Sequence, residues 1–327
     1  MLYAISLAPK GVANMTIQEK ISQLKKEKNA VILAHIYQDG AVQDIADFTG
    51  DSLELSRKAA EVESDVIVFC GVRFMAESAK ILNPEKKVLL PVMDAGCPMA
   101  DMVTAEDVIA HRKEHPGAAV VCYVNSSAET KAECDICCTS SNAVKIVESL
   151  EEDEVIFVPD ENLGSYVASL LPEKKMILHK GYCIVHKRVD EEEVMKAKSA
   201  LPNAQLLVHP ECTPAVVAQA DFVGSTAQII KYARESSHDE FIVCTEMGIL
   251  HVLENENPNK KFYMASPKLV CTNMKKTHIE DVLRSLENME HEIILDETLM
   301  KRAKNSIFPK IKVSEAILMC NYASGIF

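Results

Sequence analysis

Three stretches of this chain end on a cysteine in the same way. "KKVLLPVMDAGC" closes at Cys97, "KKMILHKGYC" at Cys183 and "KKFYMASPKLVC" at Cys271, spacings of 86 and 88 residues. Other markers keep the same phase. "NAVILAHIYQ", "GAAVVCYVNS" and "NAQLLVHPEC" place His35, Tyr123 and His209 at matching points. "TGDSLELSRKA", "CTSSNAVKIV" and "VGSTAQIIKYA" do the same for Ser52, Ser140 and Ser225. Helix starts repeat as well: Thr16/Glu19, Thr104/Asp107, Asp190/Glu193 and Thr277/Glu280 fit a capping box or a close variant. A fixed period of this size means that the chain is built from copies of one supersecondary unit.

Each copy reads as helix, strand, helix, strand, helix, strand. The strands are short apolar runs such as "VIVFCG", and segments such as "LELSRKAAEV" carry helical periodicity. Alternating β and α segments imply parallel strands with helices on their faces. A unit of this length buries only a modest share of its surface alone, so the three are expected to pack together. The expected fold is therefore α/β: three similar domains with parallel sheets in pseudo-threefold arrangement and a site at their junction. The expected divisions are 1–99, 100–185 and 186–273, with 274–327 a helical tail packed on the body.

Ligands of open parallel sheets bind beyond the carboxyl ends of the strands. His35, Tyr123 and His209 fall at the ends of the first strands, and Cys97, Cys183 and Cys271 at or past the ends of the third. One cysteine per unit meeting at a central cavity suits an iron–sulfur cluster with one iron left open, or zinc with an open position. A packing cysteine inherited with the repeat is the plainer alternative. Cys134, Cys137 and Cys138 crowd into five positions of "KAECDICCTSSNA" but have no counterparts in the other units. They are read as lying in a loop before a helix start and not as ligands. Cys70, Cys122 and Cys244 sit inside apolar runs and read as buried strand residues.

Net charge is −13, which argues against nucleic acid and against unaided attraction of an acidic substrate. Anions would need local donors. Ser52, Ser140, Ser225 and Thr226 at helix starts offer hydroxyls and free N–H groups, each worth about 0.3–1 kcal/mol toward an anion. The paired lysines that open the third strands lie at the opposite end and read as solvated turn residues. No apolar run is long enough to span a bilayer, and the early residues make a poor signal peptide. Eleven cysteines, an odd number in a long chain, fit a reducing compartment, so the expectation is cytoplasmic.

The motifs "AHIYQ" at 34–38, "GDSLELS" at 50–56, "GCPMADM" at 96–102, "YVNSSAE" at 123–129, "CTSSNAV" at 138–144, "GYCIVH" at 181–186, "HPEC" at 209–212, "VGST" at 223–226, "TEMGILH" at 245–251 and "CTNMK" at 271–275 run the length of the chain. In order and spacing they resemble the quinolinate synthase family. The resemblance implies a [4Fe–4S] cluster on Cys97, Cys183 and Cys271. It also implies condensation of iminoaspartate with dihydroxyacetone phosphate to quinolinate, phosphate and water, in NAD biosynthesis. It implies Tyr37, His209 and Glu211 as proton-handling residues. His35, Ser52, Tyr123, Asn125, Ser140, His186, Ser225 and Thr226 would be substrate contacts, and an aspartate-oxidising enzyme could supply the imine. Some relatives carry a C-terminal cysteine cluster, where this chain has only Cys320. Two rivals stand beside this reading. One is an electron-transfer or structural metal protein on the same thiols, and the other a metal-free sugar-phosphate binding module.

Overall fold

The computed structural model describes residues 15–307. Its first sheet contains β1 (Ala30–His35), β2 (Phe48–Gly50), β3 (Val66–Cys70) and β4 (Lys87–Leu89). The second contains β5 (Ala119–Tyr123), β6 (Ile136–Cys138), β7 (Glu154–Val158) and β8 (Lys175–Leu178). The third contains β9 (Gln205–Val208), β10 (Phe222–Val223), β11 (Glu240–Cys244) and β12 (Lys261–Met264). All pairings between these strands are parallel, and the order is the same each time: β2-β1-β3-β4, β6-β5-β7-β8, β10-β9-β11-β12. Helices fill the intervals, as parallel crossovers require.

Each unit thus holds four strands where three were expected. The extra ones, β2, β6 and β10, span only two or three residues, too short to show alternation. Cys137 and Cys138 consequently lie in a strand, not a loop, and both are buried. The ligand-candidate cysteines follow the fourth strand of each unit. The ladder also corrects one repeat assignment. Gly50 pairs with His35 and Cys138 with Tyr123, while Val223 pairs with Val208, one step before His209. The counterpart of Ser52 and Ser140 in the third unit is therefore Thr226, and Ser225 matches Asp51 and Thr139.

The repeat is enforced by backbone bonds that composition does not reveal. Asp47, Asp135 and Asp221 each accept from the first-strand amide fifteen residues back, Ile32, Val120 and Leu206, at 2.8 Å each. Lys25, Arg112 and Lys198 pair with the same three carboxylates. The first lysine of each pair is also not a plain solvated residue. Lys86 donates to Val62 O, Lys174 to Leu150 O and Lys260 to Ser236 O, so each satisfies carbonyls where a helix ends. The capping boxes at Thr16, Thr104 and Asp190 are present. The fourth is displaced by one residue: His278 is the cap, and its N–H donates to Asp281 at 2.9 Å.

The largest apolar cluster runs continuously from the first sheet into the second, joining Leu33 and Phe69 to Val121 and Phe157. The third sheet has an apolar cluster on each face. Helix Ile279–Asn288 buries Val282 and Leu286 with Ile21, and helix Glu297–Ile307 buries Met300 and Ala303 with Ile81 and Ala128. Cys320 lies outside the described residues.

Gly248 shows how tightly the first and third units meet. A Cβ there would stand 2.8 Å from Ile36 O and from Tyr37 backbone atoms, which cannot move aside cheaply. Gly248→Ala is expected to cost about 1–3 kcal/mol and to lower the melting temperature in a thermal scan. Gly96→Ala, whose Cβ meets nothing within 4 Å, should stay within about 0.5 kcal/mol of the parent.

Candidate active site

The carboxyl ends of all three sheets open on one cavity of about 890 Å³, its open mouth included. Thirteen of the fourteen candidate residues line it: Cys97, Cys183, Cys271, Tyr37, His209, Glu211, His35, Ser52, Tyr123, Asn125, Ser140, His186 and Thr226. Ser225 does not. It is the N-cap of helix Thr226–Glu235, and its hydroxyl is spent on Gln228 N, Ser141 and Asp51.

Glu211 is the best-held group in the cavity. It follows β9 by three residues, is 4% exposed, and accepts from the Tyr123 hydroxyl of the second unit at 2.6 Å. Its other oxygen lies 2.7 Å from His186 Nδ1. Burial by itself would raise this carboxyl. The imidazoles of His209 and His186, with the hydrogen bonds from His186 and Tyr123, outweigh it and hold Glu211 below the usual carboxylate range, hence ionised. His186 Nε2 faces Thr245 Oγ1 at 2.9 Å, Thr245 faces the Tyr37 hydroxyl at 2.7 Å, and that hydroxyl also meets Thr226 at 2.8 Å. An unbroken chain thus joins Tyr123, Glu211, His186, Thr245 and Tyr37 across all three units. Burial, then the nearby Glu211 charge, raises both phenols well above their ordinary range, so Tyr37 and Tyr123 stay protonated.

His35 and His209 are held alike. His35 Nδ1 accepts from Tyr37 N–H at 3.0 Å, and His209 Nδ1 from Glu211 N–H at 3.3 Å. Their protons therefore sit on Nε2, and His209 Nε2 faces Ser140 Oγ at 3.3 Å. Burial lowers each to about 3, helped at His35 by Lys275 and opposed at His209 by Glu211. The rings of His209 and His186 stack at 4.8 Å.

The expected cluster of helix starts is present with a different centre. Ser52 is the first helical residue; the cap is Asp51, whose carboxylate accepts from Leu53 and Glu54 N–H. Ser141 donates to Asp51 Oδ2 at 2.8 Å, and its hydroxyl lies 2.7 Å from Ser225 Oγ. One of the protein's own carboxylates thus occupies the junction of the three units, while Ser52, Ser140 and Thr226 keep places on the cavity wall. Asn125 Oδ1 is buried on the wall without a hydrogen-bond partner among the described residues.

Sequence reasoning missed Thr245, Asp51, Glu246 and Arg188, all close to the candidates. Thr245 follows β11 where Gly71 and Pro159 stand in the other units, so the repeat carried no sign of it. Asp51 was legible: Asp51 and Glu54 form a capping box. Arg188 is the one lysine or arginine on the cavity wall among the described residues, and it is exposed.

The donor set offers two ways to hold a metal. Cys97, Cys183 and Cys271 are free thiols, one per unit, on a common wall. Burial pushes Cys97 up to about 12 and raises Cys183 and Cys271, with neighbouring thiols adding to the effect at Cys97 and Cys183. A metal centre must therefore displace their protons. Separately, Cys183, His186 and Glu211 bring one ligand atom each within 4.8 Å of one another. Metal binding by this cavity fits the chemistry of both sets. By contrast, Cys134, Cys137 and Cys138 lie off the cavity wall, with Cys137 facing Ser306 at 3.3 Å.

Because His35 is held neutral, the unfolded chain binds a proton that the folded chain refuses between about pH 6.5 and 3. Stability of the metal-free chain therefore falls as pH drops through that window, by on the order of 1.4 kcal/mol per pH unit from this group. In His35→Asn, urea midpoints compared at about pH 7 and pH 4.5 should fall less than in the parent.

Known proteins resemble this chain over most of its length. Residues 19–311 match the family model described as "NadA: Quinolinate synthetase A protein". The chain is 56% identical over 295 residues to the quinolinate synthase of Alkaliphilus metalliredigens, covering 90% of this chain and 97% of that one. It is 53% identical over 298 residues to that of Caldicellulosiruptor saccharolyticus, covering 91% and 98%. With that of Clostridioides difficile it shares 51% over 296 residues, covering 90% and 97%. The chain belongs to the quinolinate synthetase A family.

Proposed function

We propose that the chain is a quinolinate synthase that condenses iminoaspartate with dihydroxyacetone phosphate. Two anions join, one phosphate and two waters leave, and the pyridine ring closes. The observation that carries the proposal is the convergence of thirteen candidates from three repeats on one cavity wall.

Cys97, Cys183 and Cys271 would hold a [4Fe–4S] cluster. When bound, it supplies a Lewis-acidic iron without a protein ligand, which suits the departure of hydroxyl groups. The chain's own groups do the rest. Glu211, ionised and fixed by two donors, takes a proton from the carbon being joined. His186, whose Nδ1–H is donated to Glu211, holds that carboxylate in place, and its Nε2 faces Thr245 Oγ1, which in turn meets Tyr37 Oη. Tyr37, protonated, acts as donor toward the triose-derived oxygens. Neutral His35 and His209 present Nε2–H to substrate oxygens and add no charge.

Asn125 Oδ1, an unpaired acceptor, suits an imine or hydroxyl proton. Ser52, Ser140 and Thr226 offer hydroxyls to carboxylate or phosphate oxygens, and Ser225 contributes by holding Asp51 and Ser141 in place. Arg188 supplies positive charge at a wall that also carries Asp51, Glu211 and Glu246.

Iminoaspartate hydrolyses readily, so its supplier must oxidise aspartate and hand the imine over promptly; a partner enzyme of that class follows from the chemistry. No helix among the described residues is long and apolar enough to cross a membrane. Ten cysteines among the described residues are free thiols, which supports a cytoplasmic location.

A second reading places a single metal ion on Cys183, His186 and Glu211. Iron and acid-labile sulfide assays of anaerobically purified protein separate the two. The cluster requires both elements in about fourfold excess over chain, and a single ion requires no sulfide. Cys97→Ala, Cys183→Ala and Cys271→Ala should each lose iron, sulfide and quinolinate formation. The Cys137→Ala/Cys138→Ala double variant should keep all three. Glu211→Gln should retain the cluster and lower kcat by about 10²–10⁴-fold.

A further inference from the structure

The third strand of each unit, β3, β7 and β11, ends at Cys70, Val158 and Cys244. Two residues further on stand Val72, Asp160 and Glu246, equivalent positions that each precede their unit's candidate ligand by 23 to 25 residues. Two of the three are buried carboxylates. Glu246 is 1% exposed, and no role proposed above uses it. Its Oε1 accepts from Cys271 N–H at 3.0 Å, and its Oε2 from Gly248 N–H at 2.7 Å. Lys275 Nζ lies 3.3 Å from the same carboxylate and donates to Tyr37 O at 2.6 Å. In the second unit, Asp160 caps helix Glu161–Leu170, and its carboxylate faces the Cys183 amide. Val72 offers no acceptor.

A buried carboxylate with two backbone donors and an ammonium is costly unless every partner stays in place. That cost makes it a rigid anchor. The segment from Cys271 to Lys275 runs into the short 3-10 turn Met274–Lys276, and Met274 is buried in the largest apolar cluster. Gln38 Nε2 holds Met274 O at 2.8 Å, again from the first unit. Gln43 Nε2 bonds Ile36 O, Gln38 O and Gly248 O, binding the same two units from the other side.

We propose that Glu246 is a positioning residue. Through the Cys271 amide and Lys275 it fixes the cysteine-bearing segment of the third unit against the Tyr37 segment of the first, and so sets where the Cys271 thiol points. The importance of this placement rests on reading Cys271 as a cluster ligand. The placement itself does not, and the two can be tested apart. Outer groups that orient metal ligands typically carry a 10–100-fold effect on metal retention.

The test uses the full chain in two states. In the reduced, metal-free state, N-ethylmaleimide labelling is resolved by peptide mapping. Glu246→Ala should label Cys271 about tenfold faster than the parent, with Cys97 and Cys183 unchanged. Glu246→Gln keeps the volume but offers one acceptor oxygen to two N–H groups, and should fall between; it carries the test where the alanine variant does not fold. Unchanged Cys271 labelling, or equal acceleration of all thiols, overturns the proposal. In the reconstituted state, release of iron to a chelator should be about 10–100-fold faster in Glu246→Ala. A parent chain that binds no iron refutes the cluster reading, while the labelling result still decides the role of Glu246.

Discussion

A four-stranded parallel sheet whose strands run from two to six residues cannot cover both its faces and its ends alone. That constraint shapes the molecule. Three such sheets share apolar surface, and the core of the first runs into the second without a break. Strand polarity then aims every carboxyl end at the same space. The Asp51–Ser141–Ser225 contact, one residue from each unit, ties the junction with charge-assisted hydrogen bonds in place of an apolar plug. The cavity is the room left where three identical topologies meet.

This origin explains the site's electrostatics. An acidic chain cannot rely on its overall field to draw in the two anions of the proposed reaction. The cavity answers with neutral donors: two imidazoles kept uncharged by burial, two phenols kept protonated, and hydroxyls at helix starts. Glu211, the base in the proposed reaction, is held by hydrogen bonds from Tyr123 and His186 and by the facing imidazoles of His209 and His186. Such a network holds a charge ready without drawing in water, and removing any member leaves another polar group unpaired. The same logic applies at Glu246, where Lys275 supplies the compensating charge.

The architecture was legible because repetition multiplies weak signals. No single cysteine or histidine would have located a site, but Cys97, Cys183 and Cys271 in phase, with His35, Tyr123 and His209, did. What escaped notice had no periodic echo or lay below the resolution of pattern. Strands of two or three residues carry no alternation, so nothing in the pattern marks β2, β6 or β10 or sets Cys137 and Cys138 apart from loop residues. Ser225 and Thr226 are adjacent hydroxyls, and only the ladder with Val208 shows which one matches Ser52. Thr245 has Gly71 and Pro159 as counterparts, so its place in the Tyr37–His186 chain is unique to one unit. The paired lysines read as solvated because the role of the first of each pair, closing a helix end, depends on a carbonyl 24 residues away in sequence.

In the proposed enzyme three thiols, one per unit, hold an iron–sulfur centre with a single vacant iron in this cavity. Mössbauer spectroscopy of ⁵⁷Fe-labelled protein, purified without oxygen, tests it most directly before and after addition of quinolinate. One iron site in about four is expected to change its isomer shift and quadrupole splitting on addition while the rest hold. A spectrum in which no site responds, or in which every iron already has a complete set of protein ligands, contradicts it.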